Sequence, residues 1–363
     1  MTSFLLRHNL WKSDGPGGMK KILFKTFVVL SSAFLLIILI FFTDSFDALT
    51  HIATNAKIGW LAVGFGCMAA YWLLDAVILQ IITATMHKGQ RMSDSIKVTM
   101  IGQFFHSITP FAGGGEPVQA YIMVKDGLQP GVAASIFAVK TILHELIIVL
   151  YAIAAYLFYG AVFTARIPQF NYFFVAGLVL NAAFLAFTIL LLYKAQAAKK
   201  VIMFFCGLLE KIKLIKNRTA IENKINCEVT SFREGAVILK KDRKSLLTLP
   251  VVQILQFTFI FAVTFFIQLA VESQRVALPE VVAAQSMIML ISLLVPTPGA
   301  TGGVEGISYL FFGMFFRKDY IIPVILIYRL LTYYPSVLFG GLFTVLAPEK
   351  PLKRETMKKL SDY

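Results

Sequence analysis

Charged residues and cysteines are both scarce in this chain of 363 residues. Asp, Glu, Lys and Arg make up only 15% of it, whereas 58% is hydrophobic and the mean hydropathy is +0.74. Soluble domains of this size do not need so large a hydrophobic fraction. The three cysteines, Cys67, Cys206 and Cys227, are far apart and show no metal-binding spacing. We therefore expect an all-α polytopic membrane protein with neither a disulfide framework nor a zinc site.

Familiar catalytic motifs are also missing. His144 and Glu145 begin like the zinc motif HExxH, but Ile148 stands where the second histidine is needed. The stretch GGGEP at 113–117 lacks the following Lys-Ser or Lys-Thr of a phosphate-binding loop, and no GxSxG occurs. The net charge is +14, yet the basic residues lie in loops and tails and form no patch interleaved with aromatics. We expect no catalytic residue, no cofactor, no metal and no bound nucleic acid.

What the chain has is a series of apolar runs. Six are long enough to cross a hydrocarbon core of about 30 Å; they cover residues 22–42, 59–86, 131–158, 170–193, 247–271 and 320–346. The first is long for a signal peptide and lacks a small-residue cleavage site, so it is predicted to be a retained helix.

Two further apolar regions, 98–124 and 281–316, are interrupted by similar motifs. These are TPFAGGGEP at 109–117 and TPGATGGVE at 297–305. Pro and clustered Gly do not continue a helix, so each region is predicted to form two half-helices around a re-entrant turn. Kinked helices that cross fully are the alternative. The fold prediction is therefore about six full crossings plus two broken helix pairs.

The distribution of Lys and Arg predicts the topology. Basic residues mark the N-terminal extension 1–21, the segment 88–97, the loop 194–245 and the tail 347–363, which we expect in the cytoplasm with both termini. The first broken region then enters from the cytoplasm and the second from outside. Oppositely oriented elements of this kind are typical of inverted-repeat transporters.

The loop 194–245 carries 13 Lys or Arg against five Asp or Glu. Part of it can form an amphipathic helix on the anionic inner leaflet, and a solvated loop that only sets the topology is the alternative. We expect one transmembrane domain over 22–346 that contains this loop.

Ionisable residues at membrane depth are costly, so they indicate function or mutual pairing. Lys140 and His144 share a helix face, with Glu145 beside them, and together with Asp75 they form a candidate proton relay or buried ion network. Alternatively, Asp75 bonds to its neighbours Tyr71 or Trp72, and the 140–145 cluster neutralises itself.

The turn glutamates Glu116 and Glu305 have two interpretations. A glycine-rich break exposes backbone N–H groups and a half-helix N-terminus, which suit an anion such as a lipid phosphate. The carboxylate beside it suits an amine or an arginine such as Arg329, for which we favour an inward position over snorkelling. Both glutamates could instead only cap their own half-helices.

Three stretches carry a family resemblance: GQFFHSITPFAGGGEPVQAYIMVKDG at 102–127, LLVPTPGATGGVEGISYLFF at 293–312 and YRLLTYYPSVLFGG at 328–341. Together, in order and over nearly the whole chain, they resemble the lysylphosphatidylglycerol synthase transmembrane-region family. This flippase-like domain also forms the N-terminal half of the bacterial multiple peptide resistance factor.

The resemblance implies a bacterial inner-membrane protein that binds phospholipid. It further implies movement of aminoacylated phosphatidylglycerol to the outer leaflet, which repels cationic antimicrobial peptides. The candidate residues for head-group binding and translocation are Thr109, Pro110, Gly114, Gly115, Glu116, Gln119, Pro298, Gly299, Gly302, Gly303, Glu305, Arg329 and Tyr333.

The full-length factor also has a soluble transferase domain that uses aminoacyl-tRNA. Here the chain ends at Tyr363, soon after the last apolar run, so we expect no synthase activity. No ATP site is visible, so transport would be downhill or ion-coupled, with His144 and Glu145 as proton carriers. A second hypothesis is a membrane subunit of a lipid-modifying enzyme such as phosphatidylglycerol lysyltransferase, with the loop 194–245 docking a separate synthase. A third is a small-solute permease.

Overall fold

The computed structural model describes residues 54–346 together with Thr50 and Ile52, apart from 88, 111–112, 194–241, 272–275, 294, 296, 298–299 and 301. The described part is all helical, without a strand. Its α-helices are α1 Ile58–Met86, α2 Met92–Ile108, α3 Gly115–Lys125, α4 Pro130–Arg166, α5 Phe170–Tyr193, α6 Arg243–Ala270, α7 Leu278–Ser292, α8 Gly303–Phe312 and α9 Ile321–Leu346, which a 3-10 turn at Lys318–Tyr320 precedes.

Five helices of the described part are long and apolar enough to cross a bilayer: α1, α4, α5, α6 and α9 with its preceding turn. Their outer faces carry exposed large apolar side chains, such as Phe158, Val179 and Val345, which suit lipid tails and not water. This confirms a multi-pass membrane protein. The predicted crossing at 22–42, the extension 1–21, most of the loop 194–245 and the tail 347–363 lie outside the described residues.

Helix boundaries follow local chemistry. The α4 helix starts with Pro130 in its first turn, where a missing N–H costs nothing, and α6 starts after Asp242, whose side chain accepts from the N–H groups of Lys244 and Ser245. The α4 helix also runs to Arg166, eight residues beyond the end of the apolar run at 131–158, so most of the segment between that run and the next one is helical. No residue there breaks a helix until Pro168.

Each broken region forms a helical hairpin. In the first, Gln119 of α3 donates from Nε2 to the Val98 carbonyl of α2, 3.2 Å away, and Gly115 packs against His106. In the second, Val295 lies against Gly303 at the start of α8. The four half-helices have 17, 11, 15 and 10 residues, or about 15 to 26 Å, which is less than the hydrocarbon core. Each half-helix is therefore too short to cross the hydrocarbon core by itself, and the re-entrant arrangement stays a prediction.

The helix packing has the pattern of an internal repeat. The α1 helix packs along α6, while α2 packs along α9 and α7 packs along α4, so each hairpin lies on the long helix that ends the other half. Two glutamines near the ends of α1 and α6 make similar bonds: Gln80 donates to the carbonyl of Gln90, and Gln268 donates to that of Val276. In both halves a loop carbonyl before the hairpin is thus held by an amide of the preceding long helix.

The two halves also match in the spacing of their charged residues. From Glu116 to Lys140 and from Glu305 to Arg329 the distance is 24 positions in each case. Each cation is followed four residues later, on the same helix face, by a ring: His144 in α4 and Tyr333 in α9. Lys140 and Arg329 are therefore equivalent residues of the two repeats.

Candidate functional site

The first glycine turn is closed by Thr109. Its hydroxyl donates to the Phe105 carbonyl at 2.6 Å and accepts from the Gly114 N–H at 2.9 Å, so one side chain joins the end of α2 to the start of α3. A Cβ on Gly114 would lie 2.5 Å from the Thr109 methyl group. Glycine at 114 is thus favoured by close approach, and Thr109 binds the N–H of Gly114, the residue just before α3.

Glu116 lies beside His106, with Oε1 3.6 Å from the imidazole Nε2. The Glu116 side chain is 36% exposed and that of His106 is 24% exposed. This carboxylate is therefore half-open and loosely held. Sequence reasoning missed His106, although its position one helical turn before Pro110, within the broken region, was a usable signal.

The second glycine turn is closed by Glu305. Gly302 has a φ of +87°, a conformation that favours glycine, and its N–H donates to Glu305 Oε2 at 2.7 Å. The other oxygen, Oε1, lies 2.8 Å from Arg329 Nη2 of α9, and both side chains are less than 9% exposed. Glu305 therefore caps α8 and neutralises Arg329 at the same time.

Arg329 extends this contact toward the first turn. Its guanidinium carbon lies 5.1 Å from the centre of the Tyr333 ring, a cation–π geometry. The Tyr333 hydroxyl donates to the Ser107 carbonyl at 3.2 Å, at the end of α2. A continuous series of contacts thus runs from Glu305 in the second turn, along α9, to the residues that precede Thr109 in the first turn.

Asp75 and Lys140 form a second buried ion pair. Lys140 Nζ lies 2.9 Å from each carboxylate oxygen of Asp75, and the side chains of Lys140 and Asp75 are 11% and 7% exposed. The Gln256 side chain of α6 also lies against Asp75, and Gln253 donates to the Gln256 amide oxygen. The pair thus ties α1 to α4. Pairing of Asp75 with Tyr71 or Trp72, and self-neutralisation of Lys140 within its own helix, are not what the structure shows.

His144 and Glu145 lie apart from that pair. The His144 ring packs edge-on against Phe257 of α6, with centroids 4.9 Å apart. Glu145 is buried on another side of α4, and its Oε2 has no hydrogen-bond partner within the described part of the chain. A proton-carrying role for these two residues stays a prediction.

The other predicted residues have the following places. Gln119 is fully buried between α2 and α3, where Gly102 leaves room for it, while Pro110 is exposed at the turn. Pro298 and Gly299 lie outside the described residues. Gly340 brings α9 against α2, since a Cβ there would lie 2.5 Å from the Met100 carbonyl oxygen.

The chemistry of this arrangement is electrostatic. No group of three His, Cys, Asp or Glu side chains in the described part is placed to hold a metal ion, and Cys67 is a buried free thiol. The groups present are two buried ion pairs, one half-open carboxylate and two glycine turns. Such groups bind and exchange charged ligands by pairing and hydrogen bonding.

Comparison with known proteins agrees with this architecture. A curated relative is a UPF0104 membrane protein from Archaeoglobus fulgidus, 25% identical over 296 residues, which cover 78% of this chain and 84% of the relative. The family model described as the lysylphosphatidylglycerol synthase TM region matches residues 26–340, which include both hairpins and the Glu305–Arg329 pair. The chain belongs to the lysylphosphatidylglycerol synthase transmembrane-region family.

Proposed function

We propose that this protein binds phospholipids within the membrane and moves their head groups between the two leaflets. The observation that carries the proposal is the connection between the two glycine turns. Charged and polar groups from the two hairpins meet through Glu305, Arg329, Tyr333 and Ser107 inside helices whose outer faces are apolar. A polar interior between lipid-facing helices suits an amphiphile with a charged head and apolar tails.

The charges present match those of phospholipid head groups. Arg329 offers a guanidinium, whose fork of donors suits a phosphate, and Glu116 offers a half-open carboxylate, which suits an amine. The ligand class that needs both is a zwitterionic or aminoacylated phospholipid, such as aminoacylated phosphatidylglycerol. In a bacterial inner membrane with cytoplasmic termini, outward movement of that lipid would lower the negative surface charge and weaken the binding of cationic antimicrobial peptides.

The direct test is reconstitution of the full-length protein in liposomes with acyl-chain-labelled aminoacylated phosphatidylglycerol, whose free amine is the group that Glu116 suits, and a membrane-impermeant quencher. We expect quenching beyond the outer-leaflet fraction, with a rate that falls in Glu116→Gln. Asp319→Asn is a matched control, because this exposed residue pairs only on the surface with Arg317, at 3.4 Å. Equal rates in protein-containing and protein-free liposomes would refute translocation.

The family description supports a second candidate, because it names a synthase. In that case the chain would serve as the membrane subunit of a lipid-modifying enzyme, with a separately encoded transferase as partner. Lipid analysis of a deletion strain separates the two functions. Altered lipid chemistry, together with co-purification of a transferase, favours the subunit. Unaltered chemistry with an altered leaflet distribution favours translocation.

A further inference from the structure

The two repeats neutralise their equivalent cations in different ways. Lys140 pairs with Asp75, which lies in the middle of the long helix α1, and both carboxylate oxygens are 2.9 Å from Nζ. Arg329 pairs with Glu305, which lies in the first turn of the ten-residue helix α8 and reaches it through Oε1. One acid therefore stands on a long continuous helix, and the other stands beside a glycine turn.

This difference has a cause in the sequence. The α6 helix, the counterpart of α1, contains neither Asp nor Glu between Arg243 and Ala270. The residues of α6 in the region that corresponds to Asp75 are Val263 and Thr264, which are fully buried and not acidic. The second repeat thus has no acid in its long helix to hold Arg329, and the charge is neutralised by the hairpin.

The Glu305 carboxylate is well suited to exchange. Its Oε2 is bound to the Gly302 N–H and keeps that bond if Oε1 leaves Arg329, so departure costs only part of its interactions. The guanidinium prefers bidentate acceptors, and a phosphate offers two oxygens where Glu305 gives one close contact. Lys140 is a point charge that already contacts both oxygens of Asp75, so an incoming anion has little to gain there.

We propose that a phosphate-type anion binds at Arg329 in exchange for Glu305, whereas Lys140 stays paired with Asp75 and binds no anion. The natural source of this anion, a lipid head group, rests on the proposed function; the site itself does not.

The exchange couples ligand arrival to the second hairpin. A buried guanidinium without a counter-ion is costly, so Arg329 releases Glu305 only when another anion replaces it. Without ligand, the hairpin α7–α8 is held to α9 through Glu305. With ligand, that attachment is removed while the cap of α8 remains. Opening of the second turn therefore requires the substrate.

The test measures anion binding to the purified full-length protein in a neutral detergent. The probes are short-chain phosphatidylglycerol, inorganic phosphate, and a short-chain diacylglycerol as the uncharged control, each titrated while the thermal midpoint is recorded. Two double variants each remove one whole ion pair and leave no lone buried charge: Glu305→Gln with Arg329→Gln, and Asp75→Asn with Lys140→Gln. The single variant Glu305→Gln keeps an oxygen for Gly302 but removes the competing charge.

We expect the single variant Glu305→Gln to bind the anionic probe about tenfold more tightly than the wild type, a change of about 1.4 kcal/mol. The Arg329 double variant should lose the response, and the Lys140 double variant should keep it. Unchanged or weaker binding by Glu305→Gln would overturn the proposal, as would equal loss in both double variants. A response to inorganic phosphate supports the site with a free anion as occupant, and a response to the lipid alone supports it with a head group as occupant.

The binding test and the liposome test can fail separately. If Glu305→Gln gains affinity but the liposomes show no translocation, the anion site stands and the transport function falls. If translocation is seen but Glu305→Gln gains nothing, the exchange falls and the transport function stands.

Discussion

The two glycine turns have similar sequences, but different side chains close them and their glutamates have different partners. In the first, Thr109 binds the Gly114 N–H just before the half-helix, and Glu116 remains half-exposed beside His106. In the second, Glu305 is both the cap and the buried partner of Arg329. The glutamate that a motif comparison treats as one feature is thus an accessible carboxylate in one repeat and a structural one in the other.

This difference shows how an internally repeated protein becomes asymmetric. In the first repeat, Asp75 on the long helix α1 pairs with Lys140. The turn glutamate Glu116 is therefore not the partner of that cation. The second repeat lacks such an acid, so its turn glutamate is recruited by Arg329. The presence of one buried aspartate in α1 therefore accounts for the different environments of two glutamates in other helices.

The largest expected effect comes from deleting each glutamate in turn. Glu305→Ala leaves Arg329 buried without its carboxylate and removes the α8 cap, so it should lower stability by about 3 kcal/mol or more. Glu116→Ala removes a half-exposed, loosely paired carboxylate and should cost less than about 1 kcal/mol. Thermal unfolding of both variants in detergent measures the difference. Equal losses of stability in the two variants would mean that the two glutamates have the same structural role.

A second test concerns the contact that brings α9 to the first hairpin. Gly340→Ala places a Cβ against the Met100 backbone and Phe104, which cannot yield easily, so we expect a loss of about 1–3 kcal/mol. Gly341→Ala is the matched control, because its Cβ would meet the Phe104 ring at an ordinary 3.6 Å. Unfolding midpoints of the two variants, one position apart, should differ clearly. Similar midpoints would contradict the close approach of α9 and α2.

A smaller effect is expected for the cap of the first turn. Thr109→Val keeps the shape but removes the acceptor of the Gly114 N–H, which should cost about 1 kcal/mol. Thr109→Ser retains the hydroxyl and should stay close to the wild type. If the valine variant is as stable as the serine variant, the first turn is closed by something other than Thr109.

The smallest effect is expected at a cap outside the turns. Hydrogen bonds from the Ser245 hydroxyl and N–H to the Asp242 carboxylate lower the pKa of Asp242 below its ordinary value of 3.8. A lowered folded-state pKa gives stability that is present above the unfolded-state value and is lost as pH falls through the folded-state value. The wild type should therefore lose a small increment of stability below about pH 4, and this increment should be missing in Asp242→Asn. Parallel thermal melts of the two proteins from pH 6 to pH 3 measure this increment. The same dependence of the unfolding midpoint on pH in both proteins would contradict the prediction.

Much of the fold could be predicted from the sequence, because apolar run length and helix-breaking residues are local properties. The described crossings and both broken regions appear where such patterns placed them, although α4 continues to Arg166. The pairing of charged residues was harder to predict from the sequence. Lys140 lies next to His144 on its own helix, yet its partner Asp75 is 65 positions away, and only the packing of α1 on α4 brings them together.

The same limit applied to the glutamates. Sequence reasoning offered capping and ligand contact as alternatives for Glu116 and Glu305, and it treated the two alike because their motifs are alike. The structure shows capping by Glu305 together with the Arg329 pair, while in the first turn Thr109 binds the N–H of Gly114, the residue before the half-helix. Which oxygen caps a helix depends on turn geometry that similar sequences do not determine.

The position of α9 affects how well the membrane stays sealed to ions when a turn opens. This one helix contacts the second turn through Arg329 and the first turn through Tyr333, four residues later. Opening both turns at once would break both contacts on the same helix, whereas opening one leaves the other in place. A state that is open to both sides of the bilayer is thereby disfavoured. If head groups cross as proposed, this would let the membrane keep its ion gradients during the crossing.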